Sequence, residues 1–421
     1  MLPATMRTKH PFGMLLRAFA VTAIAHAGCG GSVRVAPSSD ASTGGGIGAV
    51  DARSADDDGG ASGGGGSGGM ASGQSGSSGG RCGLTPKQIV DFNAVPAQAN
   101  ARGISAATPL AVDATSVYFV MGYALMQVPI EGGPPSVLTH LPDAQPNLSQ
   151  DVQPFPTSTN VFLHYISVGS DNEEIVRVPI QGGGSTRLTT SNGRILGFAV
   201  SGPNIYFVDS DGTKNVAASG GAVRLLTSEV ASAASGLAVV GSQVVVTEGN
   251  GMVVAVPVAG GPPTTLATQQ PNARFPLACG TDVCWWTGAA PNPMVADGPG
   301  EIARLNAARG LTTIPGAPSY PWALTFDGSS FFEAVGCDVC PGTIVRVPLS
   351  GTPATVTLGG FVAVDDECAY FSTIDAYPPV DGGSGMGIFS VSKAYSMCCN
   401  ADANCVHTTG SCPAPADAGS P

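Results

Sequence analysis

The sequence predicts an all-β chain folded as a single β-propeller of four-stranded antiparallel blades, and three observations carry the prediction. First, one sentence of residues recurs. LAVDATSVYFVMGYALMQVPIEGGPPSVLTHL (110–141) returns in part as IVRVPIQGGGSTRLTT, as IYFVDSDGTKNVAASGGAVRLLT and as VVAVPVAGGPPTTLA. Second, the repeat runs at about 40–45 residues with four short β-segments per copy, which is the arithmetic of a propeller blade. Third, no amphipathic helical pattern separates the copies except over Pro86–Asn93, so alternating βαβ units are excluded. One such blade has two apolar faces and can bury neither alone; ringed against its neighbours it buries both.

Within the first copy the segments are Leu110–Val112, Val117–Met121, Ala124–Ile130 and Ser136–Thr139, with Gly132-Gly133 turning the chain between the last two. Seven aromatic or β-branched cores align: Val117-Tyr118-Phe119, Val161-Phe162-Leu163, Ile205-Tyr206-Phe207, Val244-Val245-Val246, Val283-Cys284-Trp285, Phe331-Phe332 and Ala369-Tyr370-Phe371. Seven blades are therefore expected, with six or eight left open, over residues 109–394. The seventh copy lacks the GG-x-x-x-LT segment of the others. Its fourth strand is expected from the 82–108 segment, at Gln88–Phe92, with Cys405–Thr409 as the other source.

Ahead of the array, Arg7, Lys9 and Arg17 precede a short apolar run that ends in small residues, the pattern of a secretory signal over 1–28. Residues 29–81 are Gly/Ser-rich with almost no large apolar side chain, so a disordered tether is expected there. About 50 such residues reach roughly 35–42 Å. The formal net charge is −12, without a basic stripe, which argues against nucleic-acid binding.

Two resemblances follow from residues already quoted. The run Ala27-Gly28-Cys29 resembles the lipobox of bacterial lipoproteins, and implies acylation of Cys29 and an outer-membrane or cell-surface location. Periplasmic or secreted soluble protein is the alternative. The copies 204–221 and 175–183 resemble the YWTD repeat of low-density-lipoprotein-receptor-type propellers and its bacterial relatives, in which an aromatic strand precedes a strand bearing a basic residue and a Gly turn. That family has six blades, and its tetrapeptide is degenerate here (VYFV, IYFV, VCWW, AYFS).

Of eleven cysteines, Cys29 stands apart and ten remain, an even number suited to bridges in an oxidising compartment. Cys279 and Cys284 flank a hairpin turn and are expected to pair. Cys337 and Cys340 form a CDVC without the context of a redox or zinc motif. Cys82, Cys368, Cys398, Cys399, Cys405 and Cys412 allow 15 connectivities. The 395–421 tail reads as a small knot docked on the last blade, with a bridge from Cys82 or Cys368 to it.

No H-E-x-x-H, G-x-S-x-G or phosphate-loop motif occurs. Asp209-Ser210-Asp211-Gly212 has the start of a calcium loop, but position 12 is Gly220 rather than Glu, so a hairpin turn is expected. No cofactor or metal is implied. Trp285, Trp286 and His164 are the candidate binding surface; one tryptophan ring lies on each face of its strand, one expected to pack between blades and the other either to line a binding face or to cover the hairpin bridge. The small residues Ala111, Ala199, Ala238, Ala278, Ala323 and Ala363, nearest the axis, favour binding over catalysis. The expected function is a monomeric cell-envelope lipoprotein with a non-catalytic propeller that binds a protein or glycan. The alternative is a propeller enzyme of lyase or glycosidase type with its site in the central funnel.

Overall fold

Seven four-stranded antiparallel sheets make up the domain, and no α-helix occurs among the described residues. The computed structural model describes residues 82, 86–92, 95, 109–141, 152–166, 172–230, 234–288, 300–317, 321–337, 340–373, 387–393, 396–399 and 405–408. The chain divides into two units, Met1–Ala71 and Ser72–Pro421, and every described residue lies in the second. The leader, Cys29, the whole Gly/Ser tract and Cys412 lie outside the described residues.

Blade one consists of Leu110–Val112, Ser116–Met121, Ala124–Pro129 and Ser136–His140, and blade two of Phe155–Pro156, Asn160–Ile166, Glu173–Pro179 and Thr186–Thr190. Blade three is Gly197–Ser201, Asn204–Asp209, Gly212–Ala217 and Arg224–Thr227; blade four is Ala234–Val240, Gln243–Glu248, Val253–Pro257 and Thr264–Ala267. Blade five is Arg274–Cys279, Asp282–Thr287, Gly300–Leu305 and Leu311–Ala317; blade six is Pro321–Phe326, Ser330–Cys337, Cys340–Pro348 and Ala354–Leu358. Blade seven takes Phe361–Val364, Cys368–Thr373 and Gly387–Ser392 from the end of the array, and its fourth strand is Lys87–Asp91 from before the first copy. That strand pairs Lys87 with Ser390 and Asp91 with Gly387. The helical periodicity of Pro86–Asn93 is overridden by this open sheet edge, and Ile89, Val90 and Phe92 are buried there.

The ring closes through side-chain alternation. Successive residues of a strand point to opposite faces, and in every blade the second strand splits its apolar residues between two neighbours. Phe119 packs toward blade seven and Tyr118 toward blade two; Phe207 packs toward blade two and Tyr206 toward blade four. Seven apolar clusters result, each shared by two adjacent blades. First strands lie against first strands of the neighbouring blades, so they are innermost. Backbones come close there. A Cβ on Gly236 would fall 2.5 Å from Pro276 Cδ, so no larger residue fits without a shift.

The two ends of the ring differ. Turns between first and second strands are two or three residues long, and in blades one, six and seven a carboxylate ties them. Asp113 Oδ1 accepts hydrogen bonds from the Thr115 and Ser116 amides (2.8 and 2.9 Å), while the Tyr118 hydroxyl donates to Oδ2 at 2.7 Å. Asp365 repeats the device with Tyr370, and Asp327 uses its second oxygen for Lys393 at 2.9 Å. Turns between third and fourth strands, at the same end, use paired glycines such as Gly132 and Gly133 (φ 87° and 143°). At the opposite end lie the links from second to third strands and from blade to blade.

Candidate functional site

The end with the longer links holds the features that a closed β-ring does not need for its own stability. Between blades four and five the chain runs from Ala267 to Arg274 as TQQPNA. Three of the four described non-glycine residues with positive φ lie in or just after this link: Gln269 (57°), Asn272 (52°) and Phe275 (50°). Positive φ in residues bearing a Cβ is a sparsely populated state that persists only where surroundings enforce it. Here the surroundings are explicit. Gln270 N donates to Gly251 O (2.9 Å), Gly288 N to Pro271 O (3.0 Å) and Ala273 N to Gln270 O (3.2 Å). Side chains add Trp285 Nε1 to Gln270 Oε1 (3.2 Å), Thr287 Oγ1 to Pro271 O (3.0 Å) and Asn272 Nδ2 to Gly288 O (3.0 Å). The link is thereby fixed to both blades.

Beside it is a cleft of about 260 Å³, lined by Gln269, Gln270, Pro271, Thr287, Gly288, Glu301 and Thr313. Register pairs Thr287 with Glu301, so both side chains lie on the blade-five face turned toward blade four. Glu301 is half-buried and engages no other side chain among the described residues. The cleft therefore offers a carboxylate, amides and hydroxyls on a backbone that is already ordered.

Elsewhere at this end, His164 Nδ1 makes a short contact with Glu173 Oε2 across the second and third strands of blade two. The His164 ring lies 5.2 Å from that of Phe198 in blade three, and Phe155 lies 4.9 Å from the same ring. Ser191 receives the Glu173 amide on its hydroxyl at 3.0 Å and donates that hydroxyl to the Glu173 carbonyl at 3.1 Å. His164 is thus mostly buried and engaged at a seam between blades. On the innermost strands, Trp322 and Phe361 are half-buried aromatic neighbours with centroids 6.4 Å apart. Arg274 is the single charged residue of those seven strands.

Trp285 and Trp286 do not form a binding surface. Their exposures are 0 % and 1 %. Trp285 fills the cluster shared with blade four, and Trp286 the cluster shared with blade six, beside Cys279 and Cys284. The alternation that puts one ring on each face also puts each against a neighbouring blade, since both faces of a blade are covered.

Asp209 to Gly212 is a hairpin turn, with the two residues paired in register. Asp209 is buried and takes Lys214 Nζ at 2.9 Å; Asp211 takes it at 3.0 Å. Burial works to lower Lys214, but hydrogen bonds from it to the two aspartates outweigh this and raise it above its ordinary value.

Cys279 and Cys284 are bridged, and so are Cys82 and Cys368, across 286 positions of sequence. The expectation of a bridge from Cys82 or Cys368 to the tail is corrected by this pairing. Cys368 begins the second strand of blade seven, and Cys82 precedes the closing strand. The tail hairpin, Ser396–Cys399 with Cys405–Thr408, lies beside Ala354–Leu358 of blade six, not on the last blade, whose outer edge Lys87–Asp91 already covers. Cys337 and Cys340 are register partners at the ends of the second and third strands of blade six. Cys398 and Cys399 lie on the first strand of the hairpin, Cys399 opposite Cys405. No group of three or more potential metal ligands occurs among the described residues.

One residue was missed in the sequence. Glu333 occupies the position of Phe119, Leu163, Phe207, Val246, Trp285 and Phe371 in the other blades. It has no exposed surface, and neither carboxyl oxygen has a hydrogen-bond partner among the described residues. Burial alone pushes its carboxyl well above the ordinary glutamate value. Superposing the copies and asking where an apolar column carries a charge would have found it.

No described protein family matches the sequence, and no curated protein matches it. Several solved structures resemble the chain at low identity. A computationally designed protein, Ika8, is 14 % identical over 72 % of this chain and 99 % of its own, with a TM-score of 0.46. YCF48 bound to D1 peptide is 8 % identical over 73 % and 94 %, at 0.47, and a chain of the mitotic checkpoint complex is 13 % identical over 73 % and 94 %, at 0.49. The protein is a seven-bladed β-propeller with four-stranded antiparallel blades.

Proposed function

We propose that this chain is an exported binding protein whose propeller takes up another protein without transforming it, anchored at the cell envelope by lipid on Cys29 through the Gly/Ser tract. The observation that carries the reading is the cleft between blades four and five. A strained link is held there by side chains of both blades, so a partner meets a surface that needs no further ordering, and preorganisation of this kind lowers the entropic cost of binding. The Glu301 carboxylate beside Gln269, Gln270 and Thr287 suits a lysine or arginine side chain. The aliphatic and aromatic innermost strands support a binding role for the funnel as well. Disulfides belong to an oxidising compartment. No helix among the described residues is long and apolar enough to cross a membrane.

The test is binding of an arginine-bearing peptide to the full chain and to Glu301→Lys, followed by heteronuclear shift titration. Saturable binding that falls at least tenfold in the variant supports the reading. Equal binding by both, or capture of a neutral glycan in place of the peptide, refutes it. Turnover that survives Glu301→Lys would favour the enzyme alternative. Mass spectrometry of the mature N-terminus tests the lipid on Cys29.

A further inference from the structure

Six of the seven blades place an apolar residue at the third core position of the second strand, and blade six places Glu333. Its register partners are Leu324 on the first strand and Val345 on the third, and both pack into the cluster shared with blade five. Directly paired residues share a face, so Glu333 is directed into the seam that also holds Trp286, Ile302 and the Cys279–Cys284 bridge. On blade five, the charged groups on the face turned toward this seam are Arg274, Asp282 and Arg304. Arg304 Nε is engaged by Asp282 at 2.7 Å. On the fourth strand of blade five the residues on that face are Thr312, Ile314 and Ala317; on blade six, Phe326, Phe331 and Val347 complete the surroundings. None of these last six ionises, and no hydrogen-bond donor among the described residues reaches either oxygen of Glu333.

A carboxylate in such a place is tolerated only without its charge, because an unpaired buried ion is far costlier than a buried neutral acid. We propose that Glu333 makes the seam between blades five and six a pH-responsive joint, closed while its carboxyl carries a proton and loosened, ahead of the other six seams, when that proton is lost. The sign follows from linkage. The carboxyl holds its proton more tightly in the fold than in the unfolded chain, so its contribution is intact below the ordinary value of 4.5 and is lost as pH rises above it. Each pH unit in that window shifts the unfolding equilibrium about tenfold until the group ionises in the fold. Acidification of the surroundings closes the joint.

The experiment compares wild type with Glu333→Gln and Glu333→Leu by urea unfolding from pH 4 to pH 9, with peptide-resolved hydrogen exchange at each pH. The expected ratio of unfolding constants, wild type over Glu333→Gln, is flat below about pH 4.5 and climbs about tenfold per unit above it. Exchange corrected for intrinsic rate should quicken with pH in Gly300–Leu305 and Ser330–Val335 of the wild type and stay level in both variants. A ratio that is constant from pH 4 to pH 9, or quickening spread evenly over all blades, overturns the proposal. If neither variant folds, a ¹³C titration of the Glu333 carboxyl in the wild type decides. A midpoint near the ordinary glutamate value refutes the joint, and a strongly raised one upholds it.

Discussion

Removing the Cys82–Cys368 bridge, by Cys82→Ser with Cys368→Ala, should open the ring at one known place. The bridge closes a loop of 286 positions, nearly the whole propeller. On the chain-entropy account, a loop of this length restricts the unfolded chain by about 5–6 kcal/mol. Burial of Ile89, Val90 and Phe92 remains in the variant, at about 1.5–3 kcal/mol for each large side chain, so the closing strand still docks. The expected result is therefore a folded ring with a weakened closure. Guanidinium unfolding of oxidised wild type and the double variant measures the loss, and exchange at Lys87–Asp91 measures the closure itself. Amides of that strand should become the fastest-exchanging of any fourth strand. A loss below about 1 kcal/mol, with the strand as protected as before, would refute the view that the covalent tie and not only the strand's packing closes the ring.

Two further outcomes follow from the packing and from the turn carboxylates. Trp286→Ala empties the middle of the blade five and six seam and should cost about 3–5 kcal/mol in urea unfolding, as large-to-small changes in closed cores do. On the acid side, burial works to raise Asp327, but its hydrogen bonds from Lys393, Ser329 and Ser330 outweigh this and hold it below 3.8. Its contribution is present above that value and is lost as pH falls through the lower folded-state value. Thermal melts between pH 2 and pH 5 should accordingly show a shallower acid loss in Asp327→Asn than in wild type.

Much of the ring was legible in the sequence because its two governing signals are local. Alternation along each core and the Gly132-Gly133 type of turn locate the strands of blade one to within about a residue, Ser116–Met121 against an expected Val117–Met121. The missing fourth strand of copy seven was legible as a deficit, since an unpaired edge must be filled. What escaped depends on contacts between distant segments. Nothing local distinguishes a tryptophan facing solvent from one facing a neighbouring blade, so whether the second ring lined a binding face or covered the Cys279–Cys284 bridge was decided only when the ring supplied both neighbours. The tail hairpin rests on blade six because the edge of blade seven was already taken from the other end of the chain. The strained link at Gln269, Asn272 and Phe275 escaped for the opposite reason, since TQQPNARF contains no glycine to announce positive φ.

The register of the closing strand also decides how the molecule bears load. Lys87 sits at the end with the tight turns and Asp91 at the end with the long links, and Cys82 is locked to Cys368 beside the tight turns. Tension arriving through the residues before Cys82 passes into a covalent bond before it reaches a single ladder hydrogen bond. The outermost strand is thus shielded from being unzipped.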